Sequence, residues 1–284
     1  MLEVKFEASK IVPTAFNNID MHPWLKDTDR VVQGRLSDAI LIRVRGLADF
    51  VVRPAATSVH CYFSADTDPV AVRHFLLNQV LPRLVSIRDP LVIHAGAVAA
   101  RLGAIALIGP AGFGKSTLSS SFTVSGAGKL IADDGVLLRL EGQTPYLIGA
   151  YTRSRLRPDS LSALGLGTEF LPRNPVGGKH VLMSAPEQRA SAVPMALRGL
   201  FLLTPAQPGR HAIEISPLTG SAAVIALIGN SFLLDSSDRS LVQRQFEAAT
   251  ALVRSGCPFY SLAYPRCFAD LPEVQARILA ALGP

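Results

Sequence analysis

Gly109-Pro110-Ala111-Gly112-Phe113-Gly114-Lys115-Ser116-Thr117 fits the G-x-x-x-x-G-K-[ST] phosphate-binding loop at every fixed position. Its glycines let the backbone curl so that successive N–H groups point inward at phosphate oxygens. Ser116 and Thr117 then open a helix whose N-terminal dipole favours the same negative charge. Lys115 adds a cation directed at the β- and γ-phosphates. The surroundings suit the motif, because the apolar run Gly103-Ala-Ile-Ala-Leu-Ile-Gly109 enters it as a strand and Leu118-Ser-Ser-Ser-Phe122 continues as helix. Residues 109, 112 and 113–117 are therefore expected to hold a nucleoside triphosphate.

A second element follows in Leu130-Ile131-Ala132-Asp133-Asp134, where three apolar residues precede two adjacent carboxylates. This pattern reads as a buried strand ending at a site. The separation from Lys115 leaves room for one short helix and a return, so both loops are expected at the C-terminal ends of neighbouring strands. One carboxylate can hold Mg²⁺. Adjacent buried aspartates resist joint ionisation, so the pair needs a cation or one raised pKa, and a raised pKa serves a general base. Without the loop upstream, the same pair would read as a solvated strand end.

Together with Leu91-Val-Ile-His94-Ala-Gly96, these residues resemble the catalytic half of the HPr kinase/phosphorylase family. That family shows a His-containing strand, a phosphate loop of this type and an Ala-Asp-Asp strand end, in this order, and the match covers about residues 90–140. Arg153-Ser-Arg155-Leu-Arg157-Pro-Asp159-Ser160 and Leu262-Ala-Tyr264-Pro265-Arg266 resemble weaker signatures of HPr-kinase-related proteins from bacterial peptide-modification and polysaccharide gene clusters. Some of those proteins phosphorylate a serine of a lasso peptide precursor. The separate N-terminal domain of true HPr kinases is not read in this chain, nor is their glutamate in the segment Ser154-Arg155-Leu156-Arg157, which argues against HPr itself as the acceptor.

The resemblance implies an α/β, phosphoenolpyruvate-carboxykinase-like P-loop kinase core with a β-rich N-terminal portion. It also implies transfer of the γ-phosphate of ATP to a serine hydroxyl of a peptide or small protein. In that scheme Lys115 and the loop amides hold the phosphates, Ser116 and Asp134 hold Mg²⁺, and Asp133 accepts the hydroxyl proton. The division between Asp133 and Asp134 rests on analogy. His94 is placed beside the phosphates by the resemblance alone, since a histidine in an apolar strand is ordinarily a satisfied core residue. Arg155 offers a planar guanidinium that can grip phosphate oxygens through two N–H groups, and Lys179 can reach a phosphate from a loop; solvated side chains are the plain alternative for both. On the residues alone, a kinase of a free amino acid or sugar, a nucleotide-gated regulatory module and a nucleic-acid-associated NTPase stay open. A homo-oligomer also fits.

Composition narrows these choices. The 284 residues, 49% hydrophobic and 18% charged, can bury a sizeable core, which excludes disorder. A formal charge of +6 suits an anionic partner. The basic residues are dispersed, without a Lys/Arg block or an RNA-binding aromatic motif, so a nucleotide plus an acidic peptide accounts for the charge and no nucleic acid is expected. The sequence shows no apolar run of about eighteen residues and no basic start with a long apolar core, so the expected place is the cytoplasm, off the membrane. Cys61, Cys257 and Cys267 are scattered and read as free thiols rather than zinc ligands.

Along the chain, residues 1–89 are expected to form the β-rich portion with one helix and residues 90–284 the catalytic domain. Strands are predicted at 2–6, 39–45 and 58–63 in an antiparallel sheet, with an irregular crossing over 13–29. His22 and His60 lack metal spacing. Asp68-Pro69 opens a helix with apolar positions at Val72, Phe75, Leu76, Val80 and Leu84, packed on the sheet and ended by Asp89-Pro90. Further strands are predicted at 91–95, 136–140, 146–151, 196–203, 211–215 and 259–264, and helices at 219–234, 241–253 and 270–282, with Asp238 near an N-cap. Residues 159–192, rich in Gly, Pro and Ser and carrying Arg173, Lys179 and Arg189, are predicted as a long, positively charged loop with a short helix, open enough for an extended peptide.

Overall fold

Alternating β-branched and aromatic residues build the first of two compact units, Met1–Ile87. The computed structural model describes residues 3–8, 21–23, 31–53, 55, 58–149, 153–166, 178–183, 190, 193–206 and 212–283. In this unit six strands lie in the order Glu3–Ala8, Ser58–Phe63, Ala48–Arg53, Ile40–Val44, Val31–Arg35 and His22–Pro23. The five strands from His22 to Phe63 pair antiparallel, but Glu3–Ala8 runs parallel to Ser58–Phe63, which corrects the expectation of a wholly antiparallel sheet. Parallel pairing requires a long crossover, and here the whole meander supplies it. Local alternation gives the strand but not its direction.

Asp68 caps the helix as its sequence predicts, its Oδ1 accepting from the Val70 N–H at 2.9 Å. The helix runs as α over Pro69–Phe75, widens to a π turn over Leu76–Val80 and returns to α over Leu81–Ser86. Pro82 explains the widening: it has no N–H for the preceding turn and its ring crowds the carbonyl four residues back. Val72, Leu76 and Val80 are buried, and Phe75 stacks on Phe50 of the sheet with centroids 5.6 Å apart. Apart from residues 21–23, the predicted crossing over 13–29 lies outside the described residues.

The second unit, Arg88–Pro284, is a mixed sheet covered on both faces by helices, a mixed α/β architecture. Its strands run Gly128–Ala132, Ala95–Ala100, Gly103–Ile108, Met195–Thr204, Thr144–Gly149, Val136–Glu141 and Val92–Ile93. Phe259–Ala263 also pairs with the C-terminal half of Met195–Thr204, and Glu214–Pro217 lies outside it. Met195–Thr204 is parallel to Gly103–Ile108 and to Phe259–Ala263, while the other pairings are antiparallel. The loop-bearing strand reads as a continuous apolar run because both its faces are buried. Ala104, Ala106 and Ile108 pack with Leu227, Ala249 and Leu252 of helices Gly220–Gly229 and Arg239–Arg254. Ile105 and Leu107 pack with Leu118, Phe122, Val274 and Ile278 of helices Lys115–Val124 and Leu271–Ala281.

Three predictions change. The strand expected over 91–95 breaks at His94, with Val92–Ile93 pairing to Val136–Leu137 and Ala95–Ala100 forming a hairpin with Gly103–Ile108. The helix expected over 219–234 stops at Gly229, where Asn230 turns its side chain back to the Ala226 carbonyl at 2.8 Å. The region read as a long loop with a short helix has that helix at Pro158–Ala163 but also a strand, His180–Met183, which pairs antiparallel with Arg153–Leu156; Arg173 and Arg189 lie outside the described residues. The strand predicted at 211–215 is Glu214–Pro217.

Gly149 links this packing to the carboxylate strand. A Cβ there would stand 2.7 Å from the Ile131 carbonyl oxygen and 2.8 Å from Ile131 Cγ2. Gly149→Ala is expected to destabilise the protein by about 1–3 kcal/mol through overpacking, measured by chemical denaturation. Wild-type stability in that variant would show that the strand yields freely.

Candidate active site

Gly109, Gly112 and Gly114 adopt φ of +140°, +81° and +86°, a region that disfavours side chains. A Cβ at Gly109 would meet the Leu203 carbonyl oxygen at 2.9 Å, and one at Gly114 the Tyr264 hydroxyl at 3.0 Å. The loop spacing is thus a steric requirement of this backbone. Gly114 caps helix Lys115–Val124. Lys115 is almost wholly buried, and its Nζ donates to the carbonyls of Gly109 at 2.6 Å and Pro110 at 3.1 Å. Burial pulls its pKa down while the charges of Asp133 and Asp134 oppose that shift. From outside, Arg266 donates to the Gly112 carbonyl at 2.8 Å and lies 4.4 Å over the Phe113 ring, a cation–π contact.

The two strand ends of the site are not neighbours as predicted. Ala95–Ala100 lies between them, antiparallel to both, with Ala95 opposite Ile108 and Ala97 opposite Ala132. Gly103–Ile108 and Gly128–Ala132 still point the same way, and the start of the middle strand joins them. Immediately before that start is His94, whose ring Nε2 lies 3.6 Å from Asp134 Oδ1.

The two carboxylates have different surroundings. Asp133 Oδ1 accepts from Ser116 Oγ at 3.0 Å, and Oδ2 from Ser154 Oγ and the Arg155 N–H, each at 3.2 Å. Asp134 Oδ2 accepts from Arg155 Nε at 2.8 Å and Nη2 at 2.7 Å. Burial first, and the charge of Asp134 second, push Asp133 up to about 6, against the hydrogen bonds from Ser116 and Arg155. Burial alone would also raise Asp134, but Arg155 and His94 hold it below the usual carboxylate value. His94 is pushed down to about 4 by burial and by Lys115, so its imidazole is neutral at pH 7. Asp134 also has φ +75°, the one non-glycine in that region among the described residues.

The predicted site residues largely converge. Ser116 bonds to Asp133 rather than to Asp134, its expected metal-binding companion, and Arg155 grips Asp134. Lys179 is close enough to act electrostatically on His94, Lys115 and Asp134. The Thr117 hydroxyl pairs with Ser160 at 3.1 Å. Sequence reasoning missed Ser154, which is fully buried and joins Asp133 to Ser120 at 2.9 Å. Its signal was the alternation of Arg153-Ser-Arg-Leu156, legible only once that run is read as a strand. The hard oxygens of Ser116 and the carboxylates suit Mg²⁺, which takes one or two carboxylates and completes its shell with water and phosphate. Among the described residues no group of three or more His, Cys, Asp and Glu side chains is arranged to hold a metal unaided.

No family model and no curated protein matches the chain. Among solved structures it is similar to the HPr(Ser) kinase/phosphatase from Coxiella burnetii, at 13% identity over 68% of this chain and 99% of that chain, with a TM-score of 0.34. The likeness is distant.

The raised pKa of Asp133 makes a stability prediction. In the folded state Asp133 takes up its proton near pH 6, well above the ordinary carboxylate value that applies on unfolding, so its contribution to stability grows as pH falls through 6 and is absent above it. Asp133→Asn removes the buried charge while its carbonyl accepts from the Arg155 N–H and its amide donates to Ser116. The variant is expected to melt above wild type at pH 8, with the difference shrinking between pH 6 and 4. His94 shifts stability in the opposite sense over that window, but it is present in both proteins. A variant less stable than wild type at pH 8 would contradict the raised pKa.

Proposed function

We propose that the protein is an ATP-dependent kinase that transfers the γ-phosphoryl group to a serine hydroxyl of a peptide or small protein, on a phosphoenolpyruvate-carboxykinase-like P-loop core. The observation that carries this reading is a complete phosphate loop joined through Ser116 to an unequal pair of carboxylates, one raised to about 6 and one held ionised. A binding module needs the loop; a carboxylate of raised pKa beside an ionised one serves a reaction.

Lys115 exchanges the carbonyls of Gly109 and Pro110 for phosphate oxygens, and the loop amides bind the same group. The Ser116 hydroxyl donates a hydrogen bond to Asp133, which leaves its oxygen lone pairs free to hold Mg²⁺ when it is bound, with Asp134 supplying the fixed negative charge. When bound, Mg²⁺ neutralises charge on the phosphates and orients them. Asp133 accepts the proton of the acceptor's serine hydroxyl as that oxygen bonds the γ-phosphorus and the β–γ bridging oxygen leaves with ADP; its raised pKa suits a group that is unprotonated near neutral pH and still basic. Arg155 keeps Asp134 ionised and brings positive charge to the point of transfer, neutral His94 lies beside Asp134, and Lys179 adds a second positive charge acting on it. The peptide acceptor is inferred from the Gly- and Pro-rich residues 159–192 with Arg173, Lys179 and Arg189, which suit an extended anionic chain better than a neutral metabolite.

Lys115→Ala is expected to weaken ATP binding tenfold to a hundredfold, the range of about 1.5–3 kcal/mol for a hydrogen bond to a charged group, as read by calorimetry. Unchanged affinity would remove the loop from the binding site. For the chemistry, wild type with ATP, Mg²⁺ and serine peptides should produce a phosphate mass shift, and Asp133→Asn should bind ATP yet lose about 10²–10⁴-fold in transfer. Equal rates in the two proteins would refute the base, and a far higher kcat/KM for free serine or a sugar than for any peptide would refute the acceptor.

A further inference from the structure

The phosphate loop begins at a residue with an unusual requirement. Gly109 sits at φ +140° at the end of the Gly103–Ile108 strand, and its N–H is donated to the side chain of Asn230, at 3.0 Å to Oδ1. Asn230 lies at the end of helix Gly220–Gly229, where its Nδ2 donates to the Ala226 carbonyl at 2.8 Å. Its own carbonyl accepts from the His94 N–H at 2.7 Å. One residue therefore ties the first glycine of the loop, the break that presents His94 and the end of a packed helix.

We propose that Asn230 is a positioning residue for the phosphate loop, holding Gly109 so that the amides of the following residues stay turned toward the phosphates; this rests on the nucleotide reading above. The chemistry selects an amide. Gly109 needs an acceptor and Ala226 a donor, and the Asn230 amide presents one of each on separate atoms of a single rigid plane. Aspartate keeps the acceptor, loses the donor and sets a negative charge beside phosphates. The helix end itself carries partial negative charge, and Asn230 Nδ2 and Ser231 Oγ, the latter on the Leu227 carbonyl at 2.7 Å, bond to two carbonyls of its last turn. Ser231 supplies a matched control, because its hydroxyl caps the same turn without bonding the loop.

The test compares full-length wild type, Asn230→Ala, Asn230→Asp and Ser231→Ala by hydrogen exchange of a peptide spanning Gly109 and by calorimetry with ATP and Mg²⁺. Asn230→Ala is expected to speed exchange at the loop and to raise the Kd for ATP about tenfold, the equivalent of about 1.4 kcal/mol. Asn230→Asp should bind more weakly still, and Ser231→Ala should match wild type in both readouts even where its melting temperature falls equally. Unchanged exchange and unchanged Kd in Asn230→Ala, with wild type binding ATP, would overturn the positioning role alone, as would an equal Kd rise in Ser231→Ala. Wild type that binds neither ATP nor ADP would overturn the nucleotide reading and this role with it, whatever the exchange shows.

Discussion

Two adjacent buried carboxylates cannot both remain ionised without compensating charge, and the Arg155–Asp134 contact at 2.7 Å is how this fold meets that constraint. The guanidinium fixes Asp134 as the ionised member. Among the described residues Asp133 has hydrogen-bond donors and no ion-pair partner, so burial dominates and its pKa rises. Everything that brings Arg155 to Asp134 therefore serves the chemistry of both. This includes the Arg153–Leu156 strand, its pairing with His180–Met183, and the Ser120–Ser154 contact that seats the strand on the loop helix.

The loop is held in shape from three sides. Lys115 braces the carbonyls of Gly109 and Pro110 from within, Arg266 holds Gly112 and Phe113 at the tip, and Asn230 holds the first N–H. A loop already ordered loses less conformational entropy on binding. Of these contacts, Lys115 is the one whose partners phosphate oxygens would replace. The sheet sustains this arrangement because both faces of Gly103–Ile108 are packed by helices, leaving the strand end little freedom.

Much of this was legible in the sequence where the determinants are local. The Gly109–Thr117 motif with its strand and helix, the strand end before Asp133, and the N-caps at Asp68 and Asp238 all depend on residues within a few positions of each other. The break at His94, the parallel direction of Glu3–Ala8 and the strand inserted between the two site loops depend on pairings made far along the chain, which no local pattern encodes. Arg155 was singled out by its charge, yet its grip on Asp134 required knowing that residues 153–156 form a strand. Asn230 lies 121 residues from its partner Gly109, and an asparagine after a helix otherwise reads as a cap and nothing more.

The inequality of the two carboxylates is what distinguishes a reactive site from a binding loop, and a ¹³C NMR pH titration of the aspartate carboxyls, assigned with Asp133→Asn, measures it directly. A resonance titrating near pH 6 that disappears in the variant, beside an Asp134 resonance titrating below the ordinary aspartate value, is the predicted result. Two carboxyls that both titrate near 4 would contradict it, and with it the assignment of Asp133 as the base.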